Sequence, residues 1–155
     1  MKFLLGVTLA AMAMATATEA SAQRVRFEGV ATIIGFSGTC PDYNPTGGTF
    51  VTRFRPAGVG SNPANSGLSF FALGAAGTYN YTLPGAFDGI FRTVTETEIF
   101  DYVGNQPDSR VRFVAQQPAT ITPTTNFVNV TGQIDNFDFM TGCRVSFIMS
   151  AAQRP

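Results

Sequence analysis

The chain has 155 residues, with Lys plus Arg equal to Asp plus Glu at ten each, no histidine and no tryptophan. Lys2 is its one lysine, so imidazole bases, histidine metal ligands, lysine Schiff bases and phosphate-loop lysines are all missing beyond the first two residues. That excludes triad hydrolases, ordinary zinc enzymes and P-loop enzymes, and the balanced charge gives no general pull toward nucleic acid or anionic membrane.

Met1-Lys2 followed by an apolar run from Phe3 to Ala15 and by Ala20-Ser21-Ala22 has the layout of a signal peptide with an A-x-A cleavage site after Ala22. The run is too short to span a bilayer, which takes roughly 20 residues, and no later segment is apolar enough to do so. Setting these 22 residues aside leaves 133 of the 155. That is one domain, residues 23–155, long enough to bury roughly two thirds of its unfolded surface. The expected location is the periplasm or the cell exterior, and the Ala- and Met-rich signal has a bacterial style.

From there on the chain alternates with period two and shows no amphipathic helix. In the first stretch after the signal, Ile34, Phe36 and Cys40 are expected on one inward face. Strands follow at Thr49 to Arg55, Leu68 to Leu73, Thr78 to Leu83, Ile90 to Phe100, Arg110 to Ala115 and Phe127 to Ile134. In the final segment Cys143, Val145, Phe147 and Met149 share a face, with Arg144 and Ser146 on the other. Gly- and Pro-rich turns separate these stretches. About eight short strands of this kind predict an all-β fold, an antiparallel β-sandwich of jelly-roll or immunoglobulin-like form, with a closed barrel as the alternative. Cys40 and Cys143, 103 residues apart, are expected to pair in the oxidising compartment that export implies.

Arg-x-Arg occurs three times, at Arg24-Val25-Arg26, Arg53-Phe54-Arg55 and Arg110-Val111-Arg112. The residues flanking the triplets do not match, so they are not an internal repeat. On a strand, each triplet projects two guanidinium groups to one side of an inward apolar residue. Arg53, Arg55, Arg110 and Arg112 are therefore candidate ligands for a carboxylate, sulfate or phosphate group. The competing expectation is a solvated face whose arginines pair with Glu96 and Glu98. Tyr79 and Tyr81 are candidate platforms for sugar rings, although the 15 Phe suggest that most aromatics serve the core. Asp135, Asn136 and Asp138 form an oxygen-rich cluster, with Asp135 and Asp138 as weak calcium candidates. It lacks the spacing and distal glutamate of an EF-hand, and its first reading is a turn. Thr93, Thr95 and Thr97 line one face of their strand, as threonine commonly does.

No catalytic residue emerges. Glycoside hydrolysis needs two carboxylates at a defined separation, and nothing places any two of Glu96, Glu98, Asp101, Asp135 and Asp138 in that relation. The expectation is an exported, non-catalytic protein without a cofactor or metal. Its first reading is a structural or surface-assembly component that self-associates or joins another envelope protein, because apolar strands at both termini present edges to be covered. The alternatives are a binding module for an anionic glycan or lipid and a small outer-membrane barrel. Nucleic acid is not an expected partner.

Overall fold

The computed structural model describes residues 23–37, 40, 47–72, 78–98, 105–106 and 109–155, and the expected signal peptide lies outside them. The strands are β1 (Arg26–Phe36), β2 (Thr49–Arg55), β3 (Asn65–Ala72), β4 (Thr78–Pro84), β5 (Arg92–Thr93), β6 (Thr95–Glu98), β7 (Asn105–Gln106), β8 (Arg110–Gln117), β9 (Phe127–Asp135) and β10 (Arg144–Arg154). One 3-10 turn, Phe137–Phe139, is the only helical element among the described residues. All named ladders are antiparallel, in the order β5-β8-β9-β10-β1-β2-β3-β4-β6-β7.

The ends of that order meet. β5 and β6 are two halves of one stretch broken at Val94: Arg92 and Thr93 pair with β8, while Thr95–Glu98 pairs with β4. Val94 is buried, and its N–H donates to the Ser109 carbonyl at 2.9 Å. Counting that stretch once, and apart from the two-residue β7 added to β6, eight antiparallel strands form a single nearly closed sheet in which neighbours in sequence are neighbours in space and the first long strand pairs with the last. This is the barrel form of the expected all-β fold, since a jelly roll or immunoglobulin sandwich requires crossover connections.

Alternation decides which side chains fill the barrel. Val25, Phe27, Ala31, Phe54, Leu68, Tyr81, Val111, Val128, Val130, Val145, Phe147 and Met149 are all buried. Aromatic rings run through the interior in contact with one another: Phe87–Phe113 at 4.8 Å, Phe54–Phe113 at 5.4 Å, Phe70–Phe147 at 5.2 Å and Tyr79–Phe137 at 5.0 Å between centroids. The void bounded by Ile33, Phe70, Ile134 and Phe147 has no room for a water molecule. Phe147 leans over Gly132 so closely that a β-carbon there would run into the ring. Gly29 is likewise pressed against the Ser150 carbonyl, and such glycines let a tightly curved sheet close.

The inward face expected for Ile34 and Phe36 is corrected. Both are exposed, and Ile33 is the buried residue. Phe27, Ala31 and Ile33 are the buried positions of β1, so its inward face is the odd-numbered one and Ile34 falls on the other; the β1–β10 register slips just beyond, between Ile33 and Gly35. Cys40 and Cys143 are nevertheless joined, with an S–S distance of 2.06 Å. The bond lies just past the end of β1 and just before β10.

Candidate functional site

Because β1 runs antiparallel to both of its neighbours, the start of β1, the end of β2 and the end of β10 come together at one end of the barrel. Arg26, Arg55 and Arg154 occupy those three places. Their inward neighbours are core residues: Val25, Phe27 and Phe54 are at most 2% exposed, so parity turns the arginines outward. Arg26 faces Arg154 directly in the β1–β10 ladder. Phe27 faces Phe54, so Arg55, one position on, sits level with Arg26. Arg24 bridges to Gly60 just before β1, and Arg53 stands two residues from Arg55.

The approach of the Arg24–Arg26 stretch is held by Asn62. Its side-chain amide donates to the Val25 and Pro56 carbonyls at 2.7 and 2.8 Å, and its oxygen accepts from the Val25 N–H at 3.0 Å. Gly60 has φ +59°, and it lies against the Gln23 carbonyl so closely that a β-carbon would collide there. Together these contacts clamp the leading residues onto the 56–64 turn.

The five arginines border one outer-face groove of about 460 Å³. Its floor comes from β3 and β4, where the outward positions are the small or polar residues Gly67, Ser69, Asn80 and Thr82. Glu28 pairs with Arg26 at 3.2 Å and with Arg53 at 3.0 Å. Arg24, Arg55 and Arg154 make no ion pair among the described residues. The Arg55 guanidinium lies over Gly67, within 3.5 Å of where a β-carbon would be. Its Nε is buried without a hydrogen-bond partner, a state that buried donors seldom keep unless water or a ligand completes them. Like charges placed directly opposite on a sheet destabilise it, and the Arg26–Arg154 pairing accepts that cost.

The third arginine triplet goes elsewhere. Arg110 and Arg112 lie on β8 beside Arg144 of β10, with their guanidinium carbons 5.5, 4.4 and 4.8 Å from the Phe91 ring centre. Asp135, 5% exposed, accepts from Arg110 Nη2 at 2.7 Å and from Arg144 through both its Nε and its Nη2. The bond to Asp135 raises the Arg144 pKa above the ordinary guanidinium value. Arg112 donates twice to Gln133 Oε1, at 2.9 and 2.6 Å. These donors are directed at protein acceptors, and the cluster reads as a brace beside the β5–β8 pairing.

The sequence candidates therefore divide. Arg53 and Arg55 meet in the groove, whereas Arg110 and Arg112 do not join them. Tyr81 is fully buried, and the Tyr79 ring packs on Phe50 and Phe137 while its hydroxyl donates to Asp138 at 3.0 Å. The expectation of tyrosine sugar platforms is thus corrected to a role in and around the core. Asp135 and Asp138 serve Arg110 with Arg144 and Tyr79 respectively, so they do not converge as the expected calcium pair. No group of three metal-ligating side chains occurs among the described residues. Arginine pairing with Glu96 and Glu98 lies outside what is described of those side chains; the acids that pair with arginine among the described residues are Glu28, Asp88 and Asp135. Sequence reading singled out the triplets but missed Arg154 and Asn62. For Arg154, the available signal was its place at the end of the last strand, opposite the start of the first.

No protein-family model, no curated protein and no solved structure matches the chain.

Proposed function

We propose that this protein is an exported, non-catalytic binding module whose outer-face groove takes an anionic ligand. The observation that carries the reading is the gathering of Arg24, Arg26, Arg53, Arg55 and Arg154 around one groove whose bordering arginines find a single acid, Glu28, among the described residues. Charge-assisted hydrogen bonds from guanidinium forks to a carboxylate, sulfate or phosphate are each worth about 1.5–3 kcal/mol. Export rests on the Ala20-Ser21-Ala22 signal pattern.

Two other readings have less support. The assembly role rested on uncovered terminal strands, and here β1 and β10 cover each other. A membrane barrel needs an apolar outer face and a polar lumen. This barrel has phenylalanine where a lumen would be polar, and its outer face mixes exposed apolar residues such as Val30, Val51 and Ile148 with Arg26, Glu28, Arg53, Arg112 and Arg144.

The test is titration of the mature chain with inorganic sulfate, followed by backbone NMR shifts at low and moderate salt. Shifts should concentrate at residues 24–26, 53–55, 67–69 and 154, weaken as salt screens them, and disappear in Arg53→Ser/Arg55→Ser. Sulfate that leaves those residues unmoved while the fold stays intact refutes the reading.

A further inference from the structure

Resting on the anion-binding reading of the groove, we propose that its ligand is a linear polysaccharide bearing carboxylate groups, a uronate chain laid across the strands, contacted through more than one of its charged sugars. The arrangement of the arginines is the first reason. Arg154, Arg26 and Arg55 form a row across three adjacent strands. With strands about 4.8 Å apart, that row spans about 10 Å. Arg24 and Arg53 lie roughly 7 Å from Arg26 and Arg55 along their own strands, since alternate strand residues are separated by two rises of about 3.4 Å. A single tetrahedral anion is held by groups that converge on one point. These groups are spread over a strip, as repeated charges on a chain require. Arg26 and Arg53, with side chains 45% and 49% exposed, leave the strip open to a long ligand.

The floor is the second reason. Beside the arginine row, Gly67, Ser69, Asn80 and Thr82 form a shelf of small and hydrogen-bonding residues. That chemistry matches sugar hydroxyls. A lipid headgroup site places apolar side chains beside its basic residues so that they enter the bilayer interface; the shelf itself has none, and the apolar Val51 and Phe71 stand one outward position beyond Arg53 and Ser69, away from the arginine row at the strand ends. Single-stranded nucleic acid needs free aromatic faces for its bases; the rings of Tyr79 and Tyr81 pack against Phe137 and Phe70, and the outward ring of Phe71 already carries the Arg53 guanidinium 5.7 Å from its centre.

The third reason is Arg55. It lines the groove with no ion pair among the described residues, its Nε is buried without an acceptor, and its guanidinium packs over Gly67, where no side chain crowds it. A carboxylate entering from the groove accepts from the two Nη atoms of Arg55 in the two-pronged geometry that arginine forms with planar carboxylates. A second carboxylate then seats between Arg26 and Arg154 and relieves the repulsion of that facing pair. The cost built into the row is offset when the ligand arrives.

The experiment is calorimetric titration of the mature protein with galacturonate monomer and trimer, with inorganic sulfate, phosphatidylglycerol vesicles and oligothymidylate as further probes. The trimer is expected to bind at least tenfold tighter than the monomer, with affinity falling as salt rises. Arg55→Gln and Arg154→Gln should each reduce trimer affinity at least fivefold, and Arg154→Gln should melt at or above the parent temperature because it removes a like-charge neighbour. Sulfate binding at the groove with no gain from monomer to trimer overturns the polysaccharide and leaves the anion site standing. Vesicles or oligothymidylate retained more tightly than the trimer overturn it as well. Failure of every anion, sulfate included, to bind the folded protein overturns both the polysaccharide and the anion site.

Discussion

Removing the Cys40–Cys143 bond should cost about 4–5 kcal/mol while leaving the native barrel in place. The bond closes a loop of 103 residues, which in the chain-entropy account restricts the unfolded chain by about that amount. Native structure at the join has its own supports: Ser37 N–H donates to the Arg144 carbonyl at 2.8 Å and Arg144 N–H donates to Ser37 Oγ at 3.0 Å. The β1–β10 ladder therefore persists without the sulfurs, and the loss acts through the unfolded state. For a domain of this size, at about 2.1 cal/mol/K per residue of unfolding entropy, the melting temperature should fall by roughly 15 °C. Calorimetry on Cys40→Ser/Cys143→Ser, alongside the parent with and without reductant, reads the change directly. The reduced parent and the double variant should melt together. A fall of less than about 4 °C in the double variant refutes the argument that this bond is the main restraint on the unfolded chain.

Two further outcomes follow from the barrel itself. Gly132→Ala forces a methyl group into the Phe147 ring and should lower stability by about 1–3 kcal/mol, the usual cost of overpacking, as read from urea midpoints; an unchanged midpoint would show that the ring has room to move. Asp135→Ala removes the acceptor shared by Arg110 and Arg144. Both guanidiniums are about half exposed and turn to water, so the loss should stay at roughly 1–2 kcal/mol, and sulfate binding at the groove should be unaffected. Loss of groove binding in that variant would place the anion site at the Phe91 cluster instead.

Local pattern carried much of this molecule. Strand Thr49–Arg55 has the bounds that its alternation predicts, and Val25, Phe54 and Val111 are buried inside their arginine pairs as period two requires. The Ile34 and Phe36 parity failed because Ile33-Ile34 is apolar at both parities, and which of the two faces inward is decided by Phe27 and Ala31 on the same strand and by the buried Phe147 opposite Ile33 on β10. The stretch expected as one strand from Ile90 to Phe100 proved to be two short ones, since its halves answer to β8 and β4 on opposite sides. Tyr81 read as a surface aromatic because a tyrosine's alternation looks the same facing in or out. Its face is decided by Leu68, opposite it on β3 and fully buried.

By itself the sequence determined an all-β chain whose two cysteines pair, and a set of chemistries that a chain lacking histidine, and lacking lysine beyond Lys2, does not have. Those properties depend on composition and on a two-residue period, which are local. The tertiary structure alone decided that two arginine triplets meet and the third does not, that Arg154 joins them, and that Arg26 faces a like charge. Residues 26, 55 and 154 are far apart in the chain, and only the antiparallel pairing of β10, β1 and β2 brings their ends to one edge of the barrel.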